Sequence, residues 1–120
     1  MKLHKLTWGD PTAERSAVLV HGVTSNAQSW IRVGPMLAAK GYYVVAPNLR
    51  GHGKSPKADG HYSLVEMAGD LAENVPQNPE FIIGHSFGGV MAVVAEEHGF
   101  LNPEFVVFED PVLHLSLIHI

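Results

Sequence analysis

An α/β fold, with a mostly parallel sheet covered by helices on both faces, is what this sequence predicts. Three observations predict it. Short continuous apolar runs recur at Ala17–Val20, Tyr42–Ala46, Phe81–Ile83 and Phe105–Phe108, as in strands buried on both faces. Between them lie stretches with helical spacing of apolar residues and helix start signals. One strand runs directly into Gly84-His85-Ser86-Phe87-Gly88 and then into small and apolar helix formers.

In chain order, Lys2 to Trp8 reads as a first strand, with rough alternation of Leu3, Lys5 and Thr7, turned by Gly9-Asp10-Pro11. Ala17–Val20 is the second strand and ends at His21-Gly22-Val23. Ser25-Asn26-Ala27-Gln28 fits a capping box. Trp30, Val33, Leu37 and Ala38 continue at helical spacing and Gly41 stops the helix, with Pro35 expected to split it. Tyr42–Ala46 is the next strand. Residues 47–62 form a polar loop rich in Gly and Pro. Ser63-Leu64-Val65-Glu66 is a second capping box, and Leu64, Met67, Ala68, Leu71 and Val75 make one apolar face, closed by Pro76. Phe81–Ile83, the helix from Phe87 to His98 ended by Gly99, and the strand Phe105–Phe108 complete the series. Active sites in such sheets lie at the carboxyl ends of the strands, where His21-Gly22-Val23, Ser86 and Asp110 all fall.

The 120 residues are 46% hydrophobic with net charge −4, a balance that describes one soluble globular unit. Mild acidity gives no reason to expect nucleic acid or a membrane surface as partner. The absence of cysteine excludes disulfides and thiolate chemistry. The first ten residues have no apolar core of signal-peptide length and no run approaches a membrane span, so a cytoplasmic location is expected. Neither cofactor nor metal is expected. No two of the eight histidines stand at helical ligand spacing. Gly51-His52-Gly53-Lys54-Ser55 echoes the end of a phosphate loop, but Asn48 stands where a glycine is needed and Pro56 follows where a helix should start. Trp30, Tyr42 and Tyr43 read as core or cap-facing aromatics.

Strand, sharp turn and helix around Ser86 are the context of a nucleophile elbow. Chance alone yields the bare G-x-S-x-G in a few per cent of chains this long, so the setting carries the reading. Gly84 and Gly88 leave room for strand and helix to pack closely, and Gly89 for the helix to start. Four blocks together resemble the α/β-hydrolase family. They are LVHGVTSNAQSW (Leu19–Trp30), VVAPNLRGHGKS (Val44–Ser55), IIGHSFGG (Ile82–Gly89) and VVFEDPV (Val106–Val112). Asn48 departs from the pattern, since relatives usually carry Asp there, at a structural position.

The resemblance implies that Ser86 is the nucleophile, that the backbone N–H groups of Val23 and Phe87 form an oxyanion hole, and that His21, Gly22, Gly84, His85 and Gly88 shape these loops. Relatives that open epoxides or displace halide carry Asp at the elbow. Serine favours acyl transfer to water through an acyl-enzyme, with small ester-like molecules as the expected substrates. Amide and carbon–carbon bond hydrolases of the family, and a non-catalytic half-domain, are the alternatives. The family order is nucleophile, acid, then histidine. Asp110 reads either as a loop acid before Pro111 or, by the resemblance, as the triad acid; Glu109 shares that ambiguity.

No histidine present reads as the base, so the chain is expected to be the amino-terminal part of a hydrolase, truncated after the strand that follows the nucleophile helix, and inactive by itself. Leu115–Ile120, LSLIHI, is similar to a translation of a transposon end used in DNA sequencing libraries, the alternative being a genuine apolar strand. Residues 1–114 are accordingly expected to be hydrolase and 115–120 a non-native tail.

Overall fold

A computed structural model describes residues 1–109 of the chain. Five strands form one mixed sheet: β1 Lys5–Trp8, β2 Arg15–Val20, β3 Tyr42–Pro47, β4 Phe81–His85 and β5 Phe105–Glu109. Their spatial order is β1-β3-β2-β4-β5, with β1 antiparallel to β3 and every other pair parallel. Each parallel crossover therefore carries helix: α1 Val33–Ala38 after β2, α2 Leu64–Asn74 after β3 and α3 Phe87–Glu97 after β4.

The side-chain period of two sorts the strand residues between two cores. Val18, Val20 and Ile82 face α2 and α3, where they meet Met67, Leu71 and Met91. Ala17, Leu19, Val44 and Ala46 face the other way, onto Trp30 and the helix α1 side. Because both faces of β2 are covered, its last four residues are fully buried, which is why that run lacks alternation. At the opposite edge β5 is mostly exposed, with Phe105, Val107 and Phe108 in solvent.

The start of α2 follows the sequence closely. Ser63 Oγ accepts from the Glu66 N–H at 3.1 Å and donates to the Glu66 carboxylate at 2.9 Å. Side-chain caps of this kind are typically worth about 1 kcal/mol. Gly41 and Gly99, at φ +95° and +71°, close α1 and α3 in a backbone region that other residues resist.

Five expectations are corrected. The helix foreseen from Ser25 is a 3-10 turn, Ala27–Trp30, followed by the separate α1, and the side chain that caps the turn is Asn26 rather than Ser25. The break falls at Ile31-Arg32, and Pro35 lies inside the first turn of α1, where a missing N–H leaves no bond unmade. In β1 the half-buried residues are Leu6 and Trp8, so the alternation runs in the other phase; Leu3 is buried ahead of the strand. Leu64 is exposed, and the buried stripe of α2 instead takes in Asp70 and Asn74. Gly89 makes room for a side chain, since a Cβ there would lie 2.7 Å from the Phe108 ring.

Candidate active site

Ser86 sits between the last residue of β4 and the first of α3, at the carboxyl edge of the sheet. Its φ of +53° and ψ of −115° are strained for a residue with a Cβ, and only close packing holds them. The packing is visible in the flanking glycines. A Cβ on Gly84 would fall 2.4 Å from the Gly89 nitrogen, and one on Gly88 2.0 Å from the Val20 oxygen. Strand β4, helix α3 and the end of β2 thus touch backbone to backbone, and the turn at 86 has no slack.

The Ser86 N–H donates to the Glu109 carbonyl at 3.0 Å, and the Ser86 carbonyl accepts from the Gly89 N–H at 2.9 Å. Both backbone polar groups of the serine are occupied. By contrast, among the described residues no hydrogen bond takes up the N–H of Phe87 or of Val23. Phe87 is the first residue of α3, whose leading N–H groups have no intrahelical acceptor.

His21-Gly22-Val23 reaches the same place from the end of β2. Gly22 packs so closely that a Cβ there would lie 3.4 Å from Ser86 Cβ and 3.3 Å from the His85 carbonyl oxygen. The loop then turns back, with the Ser25 N–H donating to Gly22 O at 3.1 Å and Thr24 at φ +65°. Val23 is 53% exposed.

His21 is fully buried and both ring nitrogens are engaged. Nε2 accepts from the Leu49 N–H at 3.0 Å, so the ring hydrogen is on Nδ1, which donates to Gly22 O at 2.7 Å. The ring joins the loop after β2 to the loop after β3, and neither ring nitrogen has a lone pair left for another proton. Burial pushes its pKa below the usual 6.5, only partly offset by the Gly22 hydrogen bond. A depressed histidine takes up a proton in the unfolded chain before it does so in the folded one. Its contribution to stability is therefore complete above pH 6.5 and is lost as the pH falls below that value. Urea denaturation should show stability declining from pH 7 toward 5, and the His21→Gln variant should show a shallower decline. An equal slope in both proteins would remove His21 from the account.

His85 lies on the opposite face from α3, in line with Phe81 and Ile83. Its Nδ1 is 3.5 Å from a Glu109 carboxylate oxygen and makes no hydrogen bond among the described residues. The Trp30 indole nitrogen is likewise buried with no partner among the described residues. Both side chains line a cavity of about 190 Å³ together with Ser25, Ser29 and Glu109. His52 Nδ1 is bonded to Arg50 O at 2.9 Å. No described histidine is hydrogen-bonded to Ser86. Asp110, His114, His119 and the proposed boundary at residue 114 lie outside the described residues.

One pair near the site escaped the sequence reading. Arg50, in the loop after β3, sends Nε and Nη2 to the two carboxylate oxygens of Asp70 at 2.7 and 2.8 Å, and Nη1 to His61 O at 2.6 Å. Asp70 is 3% exposed and Arg50 is nearly as buried. This fork ties the whole polar loop to α2. The available signal was the position of Asp70 on the Met67–Leu71–Asn74 stripe, where a carboxylate needs a cation.

The sequence pattern of the Alpha/beta hydrolase family matches residues 17–118. Lipase LipV of Mycobacterium tuberculosis is 33% identical over 96 residues, which cover 76% of this chain and 34% of that protein. Epoxide hydrolase B of the same organism is 35% identical over 92 residues, covering 72% of this chain and 25% of that one. Among solved structures, a monoacylglycerol lipase of Paleococcus ferrophilus superposes with a TM-score of 0.74 at 31% identity, over 92% of this chain and 44% of its own. The chain thus spans a quarter to a third of the length of these two curated relatives.

Proposed function

From the premise that this chain belongs to the α/β hydrolase family, we propose that it carries the nucleophile half of a serine hydrolase that cleaves small ester-like substrates through an acyl-enzyme. The observation that carries the reading is Ser86 itself, held at φ +53° on the strand-to-helix turn with the Gly22 loop against it. In this reading the turn is a nucleophile elbow, and the unoccupied N–H groups of Val23 and Phe87 are the oxyanion hole. Ser86 Oγ attacks the acyl carbon while its proton passes to a general base. Charge develops on the carbonyl oxygen, where each fixed donor is worth about 3 kcal/mol of barrier. The leaving alcohol takes the proton back, and water then releases the acid from Ser86.

Serine also bears on the choice among relatives. Opening an epoxide with a hydroxyl nucleophile would leave an ether on the enzyme, which water does not readily cleave. A carboxylate nucleophile leaves a hydrolysable ester. Ser86 therefore supports acyl transfer over epoxide opening.

The base is proposed to come from outside residues 1–109, because both ring nitrogens of His21 are taken by backbone groups, His85 lies on the other face of β4, and no described histidine is hydrogen-bonded to Ser86. The 120 residues alone are accordingly expected not to turn over substrate. Incubation of the protein, as its gene encodes it, with a fluorophosphonate followed by peptide mass mapping tests the proposal. Stoichiometric adduct on Ser86, with hydrolysis of p-nitrophenyl esters, is the expected result. Modification elsewhere, or none, would refute it.

A further inference from the structure

We propose that the cavity beside the carboxyl end of β3 binds a small oxyanion, a carboxylate or a phosphate, at a site separate from Ser86. The cavity has a volume of about 360 Å³ and is lined by His4, Leu6, Asn26, Gln28, Asn48 and Lys54, with Gly53. In a chain of net charge −4, none of these residues is acidic. Lys54 joins no ion pair among the described residues.

Hydrogen bonding directs the remaining polar groups. The Ala27 N–H donates to Asn48 Oδ1 at 2.7 Å, which fixes the orientation of that amide. Asn48 Nδ2 then donates to His4 Nδ1 at 2.8 Å. His4 Nδ1 must accept, so the ring hydrogen is on Nε2 and is available as a donor. Asn26 Oδ1 is taken by the Gln28 N–H at 2.8 Å, which leaves its NH2 group as the free end. Lys54 Nζ, His4 Nε2 and the amide groups of Asn26 and Gln28 together suit an acceptor-only ligand carrying negative charge.

The wall is braced. Ser55 Oγ accepts from the His4 N–H at 2.9 Å and donates to Asn48 O at 2.6 Å, and both Asn48 and Ser55 are buried. Gly53, at φ +51°, brings the loop against Asn48, where a Cβ would meet Oδ1 at 2.6 Å. This is what delivers Lys54 to the cavity. Because β2 separates β3 from β4, the site lies about 10 Å along the sheet edge from Ser86, at two strand spacings. It does not depend on the reading of that serine.

The test is a titration of the protein with inorganic phosphate, and separately with succinate, at constant ionic strength. Backbone amide shifts of Asn26, Gln28 and Lys54 are followed by NMR. Saturable shifts with at least one of the two anions are expected, and which of them saturates identifies the ligand chemistry. Lys54→Met should weaken binding about fivefold or more, and so should Asn48→Asp, which keeps the Ala27 bond but places a carboxylate in the wall. Lys57→Met should bind as the parent does. Linear, non-saturating shifts with both anions would overturn the proposal, as would equal affinity in the parent and Lys54→Met. Lys54 is exposed, so that variant folds and decides the matter even if Asn48→Asp does not.

Discussion

In the protein as its gene encodes it, Ser86→Ala will lower ester turnover by a factor on the order of 10⁴ to 10⁶, the range seen when a nucleophile acting with its base is removed. Fluorophosphonate labelling will disappear with it. The variant should keep its fold, since the side chain removed makes no hydrogen bond among those observed. Ser86→Gly is the informative companion. It loses labelling equally, but glycine accepts φ +53° without strain, so its stability should rise by about 1 kcal/mol. Activity is read as kcat/KM on a p-nitrophenyl ester and stability by urea denaturation. Ser86→Ala retaining activity within tenfold of the parent would end the serine reading, whatever the stability result.

Asp70→Ala will cost about 3–5 kcal/mol, the penalty for leaving a buried charge without its partner. Arg50 is held by two hydrogen bonds to that carboxylate, and the same contact raises its pKa further above the usual arginine value. Without Asp70 the guanidinium faces His61 O and the more distant Glu66, 3.8 Å away and 45% exposed. The loop from Arg50 to Ser63 then loses its anchor on α2. The double variant Arg50→Met, Asp70→Leu should recover much of the loss, because two apolar side chains leave neither charge of the fork unpaired in the interior, while the Met1 ammonium that also met Asp70 keeps its pair with Glu73. Urea midpoints of parent, single and double variants form the measurement. A single-variant loss below about 1 kcal/mol would show that the fork is solvated and not a true interior pair.

Legibility in the sequence follows the range of the interactions. The parallel strands were legible because an apolar run buried on both faces is a local pattern, and Ala17–Val20 is buried throughout. The turn at Ser86 was legible because glycines at 84 and 88 answer a steric demand written within five residues. The Ser63 cap was legible for the same reason. Arg50 and Asp70 are 20 residues apart, and neither announces the other until α2 packs beneath the loop. Asn48 read as a departure at a structural position. Its bonds to Ala27 and His4 span 21 and 44 residues and become visible only in three dimensions. The pause at Ile31-Arg32 was misplaced onto Pro35 because proline was treated as a helix breaker, whereas in the first turn it breaks nothing.

The bond from Ser86 N–H to Glu109 O has a consequence for how the serine is kept in place. Among the described residues strand β5 is the outermost on its side of the sheet, and its last residue clasps the amide of the strained turn. Detaching the end of β5 would free that amide, and φ at Ser86 could relax. The proton on this one nitrogen therefore serves as a gauge. Its exchange with heavy water reports the free energy of detaching the end of β5, and any ligand or neighbouring strand that fastens that end would slow it. The sharpness of the turn is thus shared between the helix start and the end of β5, and what fastens that strand end also fastens the backbone of Ser86.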